Sequence, residues 1–138
     1  MTILLTSIFS IFAFSACQTA TGEKASNAQG KIAQEEIKQI SVAEAKDATE
    51  GKGAQFIDVR TESEYAGGHA PGAAHFPLDR LENDLTKLDK SKPVYVICQT
   101  GRRSQKGAEL LQKAGFTDIY NVQGGTSAWV DAGFPTEK

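Results

Sequence analysis

A lone cysteine, Cys98, lies in the stretch VICQTGRRSQ, directly after an apolar run and directly before a glycine and two arginines. A chain that turns here from a strand into a helix would direct backbone N–H groups towards an anion, and the positive end of the helix dipole would strengthen that field. The neighbouring guanidinium groups of Arg102 and Arg103 act in the same direction, so the pKa of the thiol should fall. The local sequence therefore predicts an activated, nucleophilic cysteine.

Cys98 also has a structural interpretation, because a free cysteine is often buried and behaves as a small hydrophobic residue. Gly101 favours the functional interpretation, since glycine allows the backbone angles of a tight anion-binding turn, and Ser104 then begins the predicted helix. A disulfide with Cys17, the other cysteine of the sequence, is not expected because the two lie in segments of different character.

Charged side chains near the end of another apolar run are the next candidates. Asp58 and Arg60 are interpreted as a structural ion pair that braces the loop after Cys98, with acid–base catalysis as the alternative. Glu64 is interpreted as a helix cap only, because it lies three residues after Thr61. These assignments leave Cys98 as the predicted reactive group.

The histidines and the tryptophan receive structural assignments. His69 is expected to be a hydrogen-bonded turn residue, and Trp129 is expected to lie in the core rather than to stack on a ligand. Neither His69 nor His75 has metal-ligand spacing with Cys98. The sequence therefore implies no metal and no other cofactor.

Strands and helices alternate along the chain and must position these residues. Short apolar runs predict strands at EIKQI, AQFIDV, AAHFP, PVYVIC and DIYNV. Two capping boxes, Ser41 with Glu44 and Thr61 with Glu64, predict helices over VAEAKDAT and ESEYA. Helical spacing predicts further helices over LDRLENDLTKLD, SQKGAELLQKAG and GTSAWVDAG.

This alternation predicts an α/β fold with a five-stranded, mostly parallel sheet and helices on both faces. Ligands of such sheets bind at the carboxyl ends of the strands, and Cys98 is placed at one of these ends. The net charge of -2 and the lack of a long basic stripe argue against a nucleic-acid partner.

The first sixteen residues differ in character from the rest. They are apolar from Ile3 to Phe14 and then small up to Cys17, which is the layout of a secretory signal, and roughly a dozen apolar residues are too few to span a bilayer. The motif FSAC resembles a bacterial lipoprotein signal, which implies lipidation of Cys17 and export, and Gln18 resembles the outer-membrane sorting pattern. Two features depart from that pattern: no Lys or Arg precedes the motif, and Phe14 stands where leucine is usual. A short buried helix is the alternative.

The residues after Cys17 are rich in Ala, Gln, Thr, Ser, Gly and charge, and they predict a flexible tether. The expected organisation is a signal peptide over residues 1–16, a tether over 17–34 and a folded domain over 35–138. The expected location is the periplasm, with membrane contact only through a lipid on Cys17.

The folded part resembles a single-domain rhodanese, a sulfurtransferase. The resemblance rests on three blocks in family order: IDVRTESEYAGGHAPGAAHFP, YVICQTGRRSQKGAELLQKAGF and NVQGGTSAW. It implies that Cys98 accepts a sulfane sulfur and that Asp58, Arg60 and Ser104 support the site. It also implies a substrate-binding loop formed by Gln99, Thr100, Gly101, Arg102 and Arg103.

The length of this loop separates two chemistries. Related phosphatases and arsenate reductases have a histidine, the cysteine, five residues and an arginine, whereas here Ile97 precedes Cys98 and Ser104 takes the place of that arginine. Arg103 comes one residue early, and the tighter loop favours a sulfur atom over a tetrahedral phosphate. We therefore expect transfer of sulfur from a thiosulfate-like donor to a thiol or cyanide. The alternatives are a persulfide carrier or interaction module that docks on a thiol protein, and an enzyme with phosphatase-like or arsenate-reductase-like activity.

Overall fold

Five short parallel strands form the sheet of the computed structural model, which describes residues 35–138. Their order is β1-β5-β4-β2-β3, and each neighbouring pair is parallel. The strands are β1 (Lys38–Ile40), β2 (Gln55–Asp58), β3 (Ala74–His75), β4 (Val94–Ile97) and β5 (Ile119–Val122). The predicted α/β fold with a five-stranded sheet is confirmed.

Helices connect these strands and cover both faces of the sheet. They are α1 (Val42–Thr49), α2 (Glu62–Ala66), α3 (Leu81–Asp84), α4 (Arg102–Lys113) and α5 (Gly125–Asp131). Two of them begin at the predicted capping boxes, in which the side chains of Ser41 and Thr61 accept a backbone N–H and the glutamate three residues later accepts one in return. Local sequence therefore fixes the starts of α1 and α2.

The side chains of β4 contribute to two apolar clusters, one on each face of the sheet, because successive side chains of a strand point to opposite faces. Val94 and Val96 pack with Leu111 of α4 on one face, and Tyr95 and Ile97 pack on the other face in the cluster that contains Trp129 of α5. Burial on both faces explains why β4 is uniformly apolar.

Two predicted helices differ from the structure. Helix α4 begins at Arg102 instead of Ser104, because Gly101, with a φ of 96°, sets the turn into the helix without a side-chain cap. The predicted helix over residues 78–89 is reduced to α3 and a 3-10 turn at Leu85–Lys87. Its start is delayed because the N–H of Leu78 bonds to the carbonyl of Val59, beyond the end of β2.

The predicted signal peptide, the lipidation site Cys17 and the tether lie outside the described residues. Within residues 35–138, no helix has the length and hydrophobicity that a membrane span requires.

Candidate active site

Cys98 follows the last residue of β4, at the carboxyl edge of the sheet, and is 1% exposed. Residues 99–103, called the Cys98 loop below, turn the chain from β4 into the first turn of α4. The backbone N–H of Gly101 donates a hydrogen bond to the Cys98 Sγ at 3.1 Å, and the Ser104 Oγ lies 3.4 Å from the same sulfur. The loop therefore folds around the thiol as an anion-binding turn.

Hydrogen bonds to the sulfur outweigh the effect of its burial and favour the thiolate. Burial alone would raise the pKa of Cys98, but the Ser104 hydroxyl and the backbone N–H groups of Ser104, Thr100 and Gly101 oppose it, and the net result is a lowered pKa. A thiolate held by N–H and O–H donors is a nucleophile that needs no separate general base.

Helix α5 fixes the position of the loop through its first N–H groups. Thr126 N–H donates to the Cys98 carbonyl at 2.7 Å and Ser127 N–H donates to the Gln99 carbonyl at 3.0 Å. Gly125 allows this approach, because its φ is 56° and a Cβ there would overlap the Cys98 carbonyl oxygen and lie 2.7 Å from the Gln99 carbonyl carbon. Only glycine fits at this contact.

A buried ion pair supports the loop from the side of β2. The Arg60 Nε and Nη2 donate to Asp58 Oδ2 at 2.9 and 2.7 Å, and the two residues are 3% and 0% exposed. Arg60 Nη1 also lies 3.3 Å from Gln99 Oε1, while Gln99 Nε2 donates to Ser127 Oγ at 2.9 Å. The Gln99 side chain thus bridges the end of β2 and the start of α5.

Glu64 does more than cap α2, so its interpretation as a cap only was wrong. Its carboxylate accepts from Arg103 Nη1 at 2.7 Å and from Arg103 Nη2 at 2.6 Å, and it also accepts from the Thr61 hydroxyl. The Arg103 guanidinium is the main reason that the pKa of Glu64 falls to about 2. The partners are 39 residues apart, and no local pattern in the sequence indicates such a pair.

The remaining cations of the loop region lie at the surface. Arg102 is exposed, and a cavity of about 310 Å³ beside the loop is lined by Thr100, Arg102, Arg103 and Lys106. Sequence reasoning missed Lys106, although its position one helical turn after Arg102 was a usable signal. All predicted residues of the loop and its supports therefore meet at one edge of the sheet, while Cys17 lies outside the described residues.

Trp129 lies in the core as expected, and His69 is hydrogen-bonded as expected but belongs to an isolated β-bridge with Glu137 instead of a turn. His69 is buried, with its Nδ1 3.0 Å from the Tyr65 carbonyl, and the Trp129 Nε1 donates to the Pro135 carbonyl at 2.8 Å. His75 Nε2 lies 3.0 Å from the Arg60 carbonyl. The hydrogen bonds described for these three side chains are with backbone carbonyls, and the His69 Nε2 also lies 3.6 Å from the carboxylate of Glu137.

Comparisons with known proteins agree with this architecture. The model of the family described as "Rhodanese-like domain" matches residues 41–132. Among solved structures, the rhodanese-like domain protein from Staphylococcus aureus superposes with a TM-score of 0.64 at 37% identity, over 74% of this chain and 100% of that chain.

Curated relatives include a named sulfurtransferase. The chain is 35% identical over 96 residues to the thiosulfate sulfurtransferase GlpE of Shewanella oneidensis, a match that covers 70% of this chain and 95% of that protein. It is 45% identical over 76 residues to the uncharacterized protein YqhL of Bacillus subtilis and 38% identical over 74 residues to the proposed sulfur carrier protein YrkF of the same organism. These two matches cover 55% and 54% of this chain but only 60% and 40% of the relatives' own lengths.

Proposed function

The chain belongs to the rhodanese-like domain family, and from that membership and the geometry around Cys98 we propose that it is a sulfurtransferase. It would move a sulfane sulfur from thiosulfate or a related donor to a thiol or cyanide acceptor through a persulfide on Cys98. The observation that carries the proposal is the ring of N–H and O–H donors around Sγ, which lowers the pKa of the thiol despite its burial.

In the first half-reaction, the Cys98 thiolate attacks the outer sulfur of thiosulfate. A new S–S bond forms to Sγ, the S–S bond of thiosulfate breaks, and its electron pair leaves with sulfite. The product is a persulfide anion whose negative charge lies on the outer sulfur. The backbone N–H groups of the Cys98 loop are the donors placed to stabilise that charge.

In the second half-reaction, cyanide or a thiolate attacks the outer sulfur of the persulfide. The bond from that sulfur to Sγ breaks, and its electron pair returns to Cys98 as thiolate. Cyanide becomes thiocyanate, and a thiol becomes a persulfide. No external oxidant or reductant enters the cycle. The first half-reaction breaks one S–S bond and forms another, and the second breaks an S–S bond and forms an S–C bond to cyanide or an S–S bond to a thiol.

Supporting residues keep the loop in place for both steps. Asp58 and Arg60 hold Gln99 from the side of β2, while Ser104 donates directly to the sulfur. Arg103 is held by Glu64 and acts as a positioning residue. Thr100 and Arg102 line the adjoining cavity that an anionic donor would enter.

The test is thiocyanate production from thiosulfate and cyanide by the full chain and by Cys98→Ala. We expect production that is lost in the variant. A Cys98→Ala protein that remains as active as the original chain would refute the assignment of Cys98.

A persulfide carrier is the second candidate, and the similarity to the proposed sulfur carrier protein YrkF favours it. A carrier would take up one sulfur on Cys98 and pass it to a docked thiol protein, with little turnover on cyanide. A persulfide on Cys98 found by mass spectrometry, together with absent thiocyanate production, would favour the carrier. Phosphate release that depends on Cys98 would instead revive the phosphatase alternative.

We further propose that residues 1–16 direct export and that Cys17 receives a lipid, which would anchor the domain to the periplasmic side of a membrane. The support is the apolar segment followed by FSAC. Detergent partitioning and intact mass of the full chain expressed in a bacterium test this proposal. A detergent-phase product whose mass fits cleavage before Cys17 plus lipid is expected, and an aqueous product that retains Met1 would contradict it.

A further inference from the structure

We infer that Arg102 and Lys106 form a charge-selecting site beside the Cys98 loop, which binds the fixed negative charge of a sulfur-containing substrate. The inference rests on the proposed sulfur transfer and adds Lys106 as a specificity-determining residue. It also assigns different tasks to the two neighbouring arginines.

The position of the two cations supports this site. Arg102 and Lys106 are four residues apart on α4, so their side chains lie on the same side of the helix. Together with Thr100 they line both the cavity of about 310 Å³ and an adjoining groove of about 640 Å³. Gly101, whose N–H donates to the Cys98 sulfur at 3.1 Å, also lines the groove. A charge bound by the two cations would therefore lie next to the sulfur-binding loop.

Arg103 lines the smaller cavity as well, but its charge is already compensated. Both terminal nitrogens of its guanidinium bond to the Glu64 carboxylate, at 2.7 and 2.6 Å. In contrast, no salt bridge within residues 35–138 involves Arg102 or Lys106. The positive charge available to a substrate therefore comes from these two side chains.

The rest of the larger groove is mainly uncharged. Amide side chains of Gln39, Gln105 and Asn121 form one wall and hydrogen-bond to one another at 2.8 to 3.1 Å. Glu109 is the acidic residue in the described lining, and its Oε1 accepts from the Gln105 Nε2 at 3.1 Å. This lining offers amide groups for hydrogen bonds to a substrate whose anionic group binds the two cations.

Two substrates offer the cations the same chemistry: the sulfonate end of thiosulfate and the carboxylate of a thiol acceptor each present anionic oxygens. In both cases the cations are exposed to solvent, so added salt should weaken their attraction for the substrate. The site therefore predicts selectivity for charge, with the donor and the acceptor distinguished by experiment.

The first test does not depend on sulfur transfer. Cys98 in the full chain is alkylated either with iodoacetate, which is anionic, or with iodoacetamide, which is neutral and of similar size. Peptide mass spectrometry measures the rate of each reaction at Cys98. We expect Lys106→Gln to lower the iodoacetate-to-iodoacetamide rate ratio about three- to tenfold at low salt, and added salt to shrink that difference. Lys113→Gln is the matched control, since it removes an exposed lysine from the same helix about 10 Å further along its axis.

Steady-state kinetics then identify the substrate. In the donor arm, thiosulfate with two negative charges is compared with methanethiosulfonate, which has one. In the acceptor arm, 3-mercaptopropionate is compared with the neutral 2-mercaptoethanol. A double-displacement mechanism allows kcat/KM to be measured separately for donor and acceptor. In one of the two pairs, Lys106→Gln should lower kcat/KM for the more negative member about three- to tenfold relative to the less negative member of the same pair.

The outcomes separate the two proposals. An unchanged alkylation ratio in Lys106→Gln overturns the charge-selecting site, whether or not sulfur is transferred. If Lys106→Gln lowers the iodoacetate-to-iodoacetamide ratio but leaves the relative kcat/KM values of both substrate pairs unchanged, the site has no role in substrate choice. Absence of any Cys98 persulfide in the unmodified chain overturns the proposed function, while the alkylation ratio still reports on the anion site itself.

Discussion

Replacement of Ser104 by alanine should weaken the reactivity of Cys98 without unfolding the site. The Ser104 Oγ donates to Sγ at 3.4 Å, and Ser104 is 0% exposed, so water does not readily take the place of the hydroxyl. A hydrogen bond to a charged group contributes about 1.5–3 kcal/mol, and the long contact points to the lower value. About 1.4 kcal/mol corresponds to a factor of ten, so Ser104→Ala should alkylate roughly tenfold more slowly at a pH where the thiol is mostly protonated.

The pH dependence of Cys98 alkylation by iodoacetamide tests this reasoning. The backbone donors remain in the variant, so the reaction should persist with its midpoint at higher pH, and the rates of the two proteins should converge where both thiols are ionised. Ser91→Ala, which alters an exposed turn, controls for the loss of a hydroxyl elsewhere. The same midpoint in Ser104→Ala and the original chain, or a constant rate deficit at every pH, would refute a role for Ser104 in stabilising the thiolate.

Three further substitutions test the supports of the loop. Asp58→Asn removes one partner of a buried ion pair and should lower the free energy of unfolding in urea by about 3 kcal/mol; a loss below about 1 kcal/mol, as for an exposed pair, would contradict that view. Gly125→Ala would clash with the Cys98 backbone and should abolish persulfide formation. In the control Gly133→Ala a Cβ meets open space, so this variant should lose only about 1–2 kcal/mol of stability and still form the persulfide. Equal persulfide formation by the two variants would disprove the close contact at Gly125. Because the pKa of Glu64 is lowered from 4.5 to about 2, its stabilising contribution is present above about pH 4.5 and lost as the pH falls towards 2. The stability difference between the original chain and Glu64→Gln in urea should shrink over that range, and a constant difference from pH 7 to pH 2 would rule the ion pair out.

Local sequence signals predicted much of the fold. Helices α1 and α2 begin where their capping boxes indicate, because both partners of a capping box lie within four residues. The strong apolar run ending at Cys98 marks β4 to within a residue at each end. These features depend on neighbouring residues, and the sequence contains all of that information.

Features that depend on distant partners could not be predicted in this way. Ser104 resembles a helix cap in the sequence, but its hydroxyl contacts the Cys98 sulfur while Gly101 precedes the first helical residue. The pairing of Glu64 with Arg103 needs the packing of α2 against the start of α4. The strand order also depends on distant partners, since β1 pairs with β5, which comes from the far end of the folded region.

A single-turnover measurement with thiosulfate shows whether Cys98 accepts a sulfane sulfur. The full chain is mixed with thiosulfate in the absence of any acceptor, released sulfite is quantified, and peptide mass spectrometry locates the added sulfur. We expect one sulfite per protein molecule and the mass of one extra sulfur atom on the Cys98 peptide, which cyanide then removes as thiocyanate. Sulfite release without sulfur on Cys98, or no sulfite release from a folded protein, would show that Cys98 does not accept sulfur from thiosulfate.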